Sequence, residues 1–88
     1  MVLGVTGSNH GDPMRALGAA IVLHREQAEM TTEQLAKMID LPPHTLLTIE
    51  RGEAEPRWGT MRRIAAALEV PLEQIAEVAE RFEETGAP

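Results

Sequence analysis

The chain has 88 residues, of which 43% are apolar and 25% are charged, enough for one small domain with a modest core. Aromatic residues make up only 2%, so the core must be built from aliphatic side chains. The absence of cysteine excludes disulfide scaffolds, thiolate metal sites and cysteine nucleophiles, and makes the cytoplasm the expected compartment. Residues 1–12 lack a basic leader and contain turn-forming residues, so we expect neither a signal peptide nor a membrane-spanning segment.

The net charge of −6 at first argues against nucleic-acid binding, because DNA affinity comes largely from the neutralisation of phosphates. The acidic side chains are concentrated at one end of the chain. Residues 15–72 hold seven basic and eight acidic side chains, whereas residues 73–88 hold five glutamates and one arginine. The composition is therefore compatible with a DNA-binding unit in residues 15–72, in which electrostatic attraction contributes only weakly to the affinity for DNA.

The spacing of apolar residues predicts a single all-α domain of five helices, which we place at residues 13–84. Residues 1–12 are predicted to form a flexible arm, because Gly, Ser and Asn interrupt any regular pattern there. At most, this arm contains a short strand over Val2–Val5. Residues 85–88 are predicted to be a disordered tail.

The first two helices have recognisable start signals. Pro13 suits the first turn of a helix that continues to about Glu29 with one apolar face. Thr31 followed three residues later by Gln34 is a capping-box pattern. It predicts a short second helix that ends near Asp40.

A tight turn separates the second predicted helix from the third. Pro43 forces Pro42 out of helical dihedral angles and itself fits the first position of a new helix. This third helix ends at Gly52, a residue that favours a left-handed helix end. The apolar positions of the remaining two helices are Met61, Ile64, Ala65 and Leu68 in the fourth, and Leu72, Ile75, Ala79 and Phe82 in the fifth.

Two short helices joined by a tight turn are typical of the helix-turn-helix arrangement, whose second helix enters the DNA major groove. The residues that carry a more specific likeness are Thr31-Thr32-Glu33-Gln34-Leu35-Ala36, Leu46, Ile49-Glu50-Arg51-Gly52, Pro56, Thr60, Ile64-Ala65-Ala66-Ala67-Leu68 and Val70-Pro71-Leu72. At these spacings the sequence resembles lambda repressor/Cro-type helix-turn-helix domains, the XRE family, over roughly residues 15–76. The resemblance implies a five-helix repressor-type bundle and a transcriptional regulator that binds double-stranded DNA sequence-specifically.

The resemblance also implies a structural role for Arg25 and Glu50. Both occupy positions where the family often has a buried or half-buried ion pair between the first helix and the end of the third. The alternative interpretation is that they are two solvated surface charges.

The outer side of the third helix is the candidate base-reading face. If Leu46 and Ile49 face inward, helical spacing places four residues outward: Pro43, His44, Leu47 and Thr48. The resembled family commonly carries longer polar side chains there, because base edges are read mainly through hydrogen bonds. Pro43 and Leu47 offer only apolar contact, so a face that serves a protein partner is the alternative.

Phosphate contacts are implied at the start of the second helix and around the start of the fourth. The candidate residues are Thr32, Arg57, Arg62 and Arg63. The alternative to a phosphate contact is that Thr32 is an ordinary residue of the first helical turn and that the three arginines are solvated side chains. Glu53 and Glu55 oppose the role because they would repel a phosphate backbone, and Asp40 replaces a turn glycine of the family.

Other kinds of chemistry have little support in the sequence. His10, His24 and His44 lie in different elements without metal-ligand spacing, so we expect no metal site and no cofactor. The sequence has neither a glycine-rich phosphate loop nor a nucleophile motif. We therefore expect a non-enzyme without a small-molecule substrate.

The fifth helix has an apolar side and an acidic side. In the resembled family its first half closes the domain core. The part beyond Ala79 extends past that closure, so Val78 and Phe82 are candidates for the interface of a symmetric homodimer. The acidic helix, or the apolar face of the third helix, would instead dock a protein partner if the domain is a protein-interaction module.

Overall fold

The computed structural model describes residues 12–86, and in this range the chain forms five α-helices and no strand. The helices are α1 (Pro13–Gln27), α2 (Thr32–Met38), α3 (Pro43–Glu50), α4 (Trp58–Leu68) and α5 (Leu72–Thr85). The all-α prediction is therefore confirmed. The strand considered over Val2–Val5 lies outside the described residues. Of the described helices, none is long and apolar enough to cross a membrane.

The first two helices begin where their capping signals predict. A side-chain oxygen of Asp12 accepts a hydrogen bond from the Met14 amide at 2.9 Å, so Asp12 caps α1. At α2, the Thr31 hydroxyl accepts from the Gln34 amide at 3.0 Å, and the Gln34 side chain accepts from the Thr31 amide at 2.8 Å. This reciprocal pair is the predicted capping box.

Several helix ends differ from the predicted ones, and two of the turns contain a non-glycine residue in the left-handed conformation. Glu29 has φ 59° in the turn after α1, so that helix ends at Gln27. Asp40, the residue that replaces a turn glycine, has φ 58°, a conformation that Asp tolerates better than most residues. Near the other end of the described range, α5 includes Thr85, one residue beyond the predicted domain boundary at residue 84.

The core is aliphatic, as the composition requires, and every helix contributes to it. Its fully buried side chains include Ile21, Leu35, Leu46, Ile64 and Ile75. Burying one such side chain contributes about 1.5–3 kcal/mol. Around this core, α1 packs against α3, α4 and α5, and α2 packs against α3 and α4.

Close contact between α1 and α3 depends on Gly18. A Cβ atom at this position would lie 2.5 Å from the carbonyl oxygens of both Ile49 and Glu50. The absence of a side chain therefore allows the backbone of α1 to approach the last turn of α3.

His24 connects α1 to α5. Its ring is buried, and its Nδ1 lies 2.8 Å from the carbonyl oxygen of Ala20, so that nitrogen carries the proton and donates. The Nε2 atom lies 3.3 Å from the side-chain nitrogen of Gln74 on α5, which donates to it. Both ring nitrogens thus have partners within the fold.

Candidate nucleic-acid interface

A buried ion pair joins α1 to the end of α3. The Nε atom of Arg25 donates to Oε2 of Glu50 at 2.7 Å, and Nη2 of Arg25 donates to Oε1 at 3.3 Å. The side chains are only 12% and 3% exposed, respectively. The two residues therefore form the pair that the resemblance implied, and neither is a solvated surface charge.

Two further hydrogen bonds extend this pair to the start of α2. Nη1 of Arg25 donates to the carbonyl oxygen of Met30 at 2.8 Å, and the Thr32 hydroxyl donates to Oε1 of Glu50 at 3.0 Å. We call Arg25, Thr32 and Glu50 the ion-pair network. It connects α1, the segment before α2, α2 itself and α3, and so fixes the orientation of α3 relative to α2.

The Thr32 hydroxyl has a different partner from the one implied by the resemblance. A hydroxyl has one proton to donate, and a phosphate oxygen needs a donor. In the structure that proton is directed to Glu50. The hydroxyl of Thr32 is therefore not available to a phosphate in this arrangement, and the residue belongs to the ion-pair network.

The first turn of α3 is the exposed part of the candidate reading face. Pro43, His44 and Thr45 are all exposed, whereas Leu47 and Thr48 are half-buried. Thr45 was absent from the sequence-based set, although it neighbours His44 on the same turn. Its hydroxyl adds a hydrogen-bond donor to this face. The signal that could have found it is helical spacing, because Thr45 and Thr48 are three residues apart and share one side of α3.

The hydroxyl proton of Thr48 already has a hydrogen-bond partner within α3. Its hydroxyl donates to the carbonyl oxygen of His44 at 2.9 Å, one helical turn earlier. The oxygen can then act only as an acceptor. The first two turns of α3 thus present apolar surface from Pro43 and Leu47, an imidazole, one hydroxyl donor and one hydroxyl acceptor.

A cationic edge lies at the start of α4. It consists of Arg57, Arg62 and Arg63, all of which are exposed. Arg57 is the N-cap residue, and the first turn of α4 contains no acidic residue. Glu53 and Glu55 in the preceding loop are also exposed and reduce the positive potential beside this edge.

Trp58, the first residue of α4, was not singled out by the sequence reasoning. Its side chain is 67% exposed, which is unusual for a large aromatic residue in a small domain. Trp58 and Arg62 are four residues apart, so they share one face of α4. The cationic edge therefore includes a large aromatic surface.

A groove runs along the outer side of α1, between the C-terminal end of α3 and α5. Its volume is about 880 Å³, and its apolar lining consists of Ala19, Val22, Leu23 and Phe82. We call it the Phe82 groove. Val78 does not line it, although Val78 and Phe82 are one helical turn apart on α5 and both pack against the core. Of the two residues predicted to share an interface, Phe82 is the one that borders this groove.

The described histidines occupy unrelated environments. His24 is buried between α1 and α5, His44 is exposed on α3, and His10 lies outside the described residues. Among residues 12–86, no group of three or more His, Asp or Glu side chains is arranged to hold a metal ion.

Comparisons with known proteins match this arrangement. Residues 16–78 match the sequence family described as helix-turn-helix domain. The clp gene regulator ClgR from Corynebacterium glutamicum superposes with a TM-score of 0.82 at 24% identity, over 85% of this chain and 80% of that chain. The restriction-modification controller protein C.AhdI from Aeromonas hydrophila superposes with a TM-score of 0.69 at 19% identity, over 70% of this chain and 94% of that chain.

Curated protein sequences gave no match. The family match covers most of the chain, and its boundaries enclose α2, the turn and α3. The two solved structures share the all-α fold. The chain therefore belongs to the helix-turn-helix domain family, with α2 and α3 as the two helices of its DNA-binding motif.

Proposed function

We propose that this domain is a transcriptional regulator that binds double-stranded DNA by placing α3 in the major groove. The observation that carries the proposal is the ion-pair network. It holds α3 against α1 and α2 from the buried side, while Pro43, His44 and Thr45 remain exposed on the opposite side. A helix held rigidly with one free face is what major-groove insertion requires.

The chemistry of the reading face favours modest sequence specificity. The best bidentate side-chain pairs discriminate between bases by about 1–3 kcal/mol, and none of the exposed α3 side chains can form one. His44 and Thr45 can each donate one hydrogen bond, and Thr48 can accept one. Pro43 and Leu47 suit the methyl group of thymine. We therefore expect DNA shape to carry part of the preference.

The cationic edge is the proposed phosphate-binding surface. Arg57 is the N-cap of α4, where a positive charge opposes the helix macrodipole, and Arg62 and Arg63 follow in the second turn. A phosphate between them would compensate both the side-chain charges and the dipole. Trp58 would lie against the same stretch of DNA backbone.

The Phe82 groove supports assembly as a symmetric homodimer. A two-fold interface uses the same patch on both copies and must be complementary to itself. The charged residues that line the groove are compatible with this condition, because they include both signs: Arg15 and Arg51 are basic, and Asp12, Glu26, Glu50 and Glu53 are acidic. In such a dimer, two α3 helices would read half-sites about 34 to 36 Å apart.

A selection experiment on randomised duplexes tests the proposed function. The full chain is mixed with the library, bound duplexes are amplified, and the affinity of the enriched sequence is then measured at several salt concentrations. A regulator of this kind enriches one sequence and loses affinity steeply as salt rises. No enrichment and no salt dependence would refute it.

A second candidate function is a protein-interaction module that does not itself read DNA. The observation that favours it is the apolar character of Pro43 and Leu47, together with a net charge of −6. In that case substitutions on α3 would disrupt binding of a protein partner and leave DNA selection unaffected. In both functions we expect a non-catalytic cytoplasmic protein that needs no cofactor or small-molecule substrate.

A further inference from the structure

A second and smaller groove lies between the first turns of α1 and the C-terminal half of α5. Its apolar floor includes Met14, Leu17 and Ala76, and its volume is about 270 Å³. Three carboxylates line its rim: Glu55, Glu80 and Glu83. We call it the acidic groove.

The acidic groove and the Phe82 groove are on opposite sides of α1. Arg15, Ala19 and Val22 line the Phe82 groove, whereas Pro13 and Leu17 line the acidic groove. With 3.6 residues per turn, the two sets are separated by about half a turn. A molecule in the acidic groove would therefore leave the Phe82 groove free.

Among residues 12–86, no cation pairs with the carboxylates around the acidic groove. The groove lining contains no Lys, Arg or His. The salt bridge found among residues 12–86 joins Arg25 to Glu50, and neither residue lines this groove. Glu80 and Glu83 are one helical turn apart, as are Glu80 and Glu84. Each like-charge pair at this spacing destabilises a helix by about 0.2–0.5 kcal/mol. The nearby start of α1 offsets part of this repulsion through its dipole, but the carboxylates remain without a positively charged partner.

The dimensions of the groove indicate what it can hold. Pockets for small-molecule ligands usually have volumes of about 300–1,000 Å³ and enclose most of the ligand. The acidic groove is smaller than this range. Its α5 wall, from Ala76 to Glu83, spans about 10 Å of helix, or two turns. These dimensions suit one or two side chains of a polypeptide segment better than a separate small molecule.

We propose that the acidic groove docks a cationic amphipathic segment of another protein. A large apolar side chain of that segment lies on the floor against Leu17 and Ala76. Lys or Arg residues that flank it pair with Glu80, Glu83 and Glu55 on the rim. The argument is independent of DNA binding, since neither α3 nor the cationic edge contributes to this groove.

Calorimetric titration of the full chain with a short synthetic peptide of leucine and lysine, arranged as an amphipathic helix, tests the proposal. The Ala76→Arg variant fills the floor and reverses the local charge, and we expect it to weaken binding by more than about tenfold. The double variant Glu80→Gln/Glu83→Gln should weaken binding by about tenfold. The matched control is Glu73→Gln/Glu77→Gln, which removes the same charge from exposed positions of α5 outside the groove, and it should retain nearly full affinity.

Three outcomes would overturn the proposal. The first is an unaltered chain that does not bind the peptide. The second is equal weakening by the two double variants, which would indicate diffuse attraction to an acidic helix. The third is equal binding of a control peptide in which serine replaces leucine, since the apolar floor would then contribute nothing. Circular dichroism of each variant, and its affinity for DNA, distinguish loss of docking from loss of folding and from failure of the regulator function.

Discussion

The hydroxyl of Thr32 donates a hydrogen bond to Glu50 at 3.0 Å, and through it the start of α2 is tied to the last residue of α3. Because Arg25 binds the same carboxylate, one buried side chain receives hydrogen bonds from two different helices. The angle between the two helices of the motif therefore depends on Glu50.

Replacing Glu50 with Ala should destabilise the fold by about 3–5 kcal/mol, because Arg25 is left buried without a counter-charge. Thr32→Val removes one hydrogen bond only and should cost about 1 kcal/mol. Urea denaturation followed by circular dichroism measures both. An unchanged free energy of unfolding for Glu50→Ala, with higher DNA affinity, would show that Glu50 is merely a repulsive charge beside the reading face.

Gly18→Ala should destabilise the domain by about 1–3 kcal/mol, since the new Cβ would collide with the carbonyl oxygens of Ile49 and Glu50. Gly59→Ala is the matched control, because nothing lies within 4 Å of a Cβ at that helical position. That substitution should be neutral or stabilise the protein by up to about 1 kcal/mol. Thermal unfolding of both variants measures the difference. Equal melting temperatures would contradict the close approach of α1 and α3.

The double variant Arg57→Ala/Arg62→Ala should weaken binding to all DNA sequences to a similar extent. It should also lower the slope of log affinity against log salt by about one unit for each lost phosphate contact. Arg81→Ala is a control that removes a cation from α5, outside the proposed phosphate-binding surface, and it should leave the slope unchanged. Fluorescence anisotropy of labelled duplexes provides the affinities. A slope that is the same in all three proteins would remove the cationic edge from the interface.

Leu47→Gln should change which sequences are enriched from a randomised library, because it adds a hydrogen-bonding group to an apolar part of the reading face. Thr48→Ala should weaken the contact with one base or phosphate of the DNA site by about 1 kcal/mol, the contribution of a single hydrogen bond. Sequencing of the selected duplexes reports both effects. The same enriched sequence from Leu47→Gln and the unaltered chain would exclude Leu47 from base contact.

Phe82→Glu should convert a dimer into a folded monomer and prevent binding to a site with two half-sites. Sedimentation velocity over a range of concentrations measures the assembly state, and circular dichroism shows that the monomer is folded. Val78→Ala is the comparison, because Val78, like Phe82, packs against the core but does not line the Phe82 groove, so this variant should affect stability but not assembly. An unaltered chain that remains monomeric at high micromolar concentration would refute the dimer.

Local signals in the sequence predicted most of the fold. The capping box of Thr31 and Gln34 and the proline at position 43 depend on neighbours within a few residues, so they can be read without the tertiary structure. The turns at Glu29 and Asp40 could not be placed to the residue. Both residues adopt a left-handed backbone, against the ordinary preference of a non-glycine residue, so local propensity does not mark these positions.

The candidate site was only partly predictable for a similar reason. Helical spacing identified the outward side of α3, but the partner of the Thr32 hydroxyl depends on a contact with a residue 18 positions away. The two grooves depend on how α1 and α5 pack together, which no local pattern specifies. The positions of the two grooves on opposite sides of α1 can therefore be seen only in the tertiary structure.

The position of Trp58 determines what the intrinsic fluorescence of this protein reports. The chain has one tryptophan and no tyrosine, so nearly all of its ultraviolet emission originates at the start of α4. Because that indole is already largely in water in the folded state, unfolding should change its emission little. Contact with DNA along the cationic edge should instead quench or shift the Trp58 emission. The intrinsic fluorescence would then report DNA binding and respond little to unfolding.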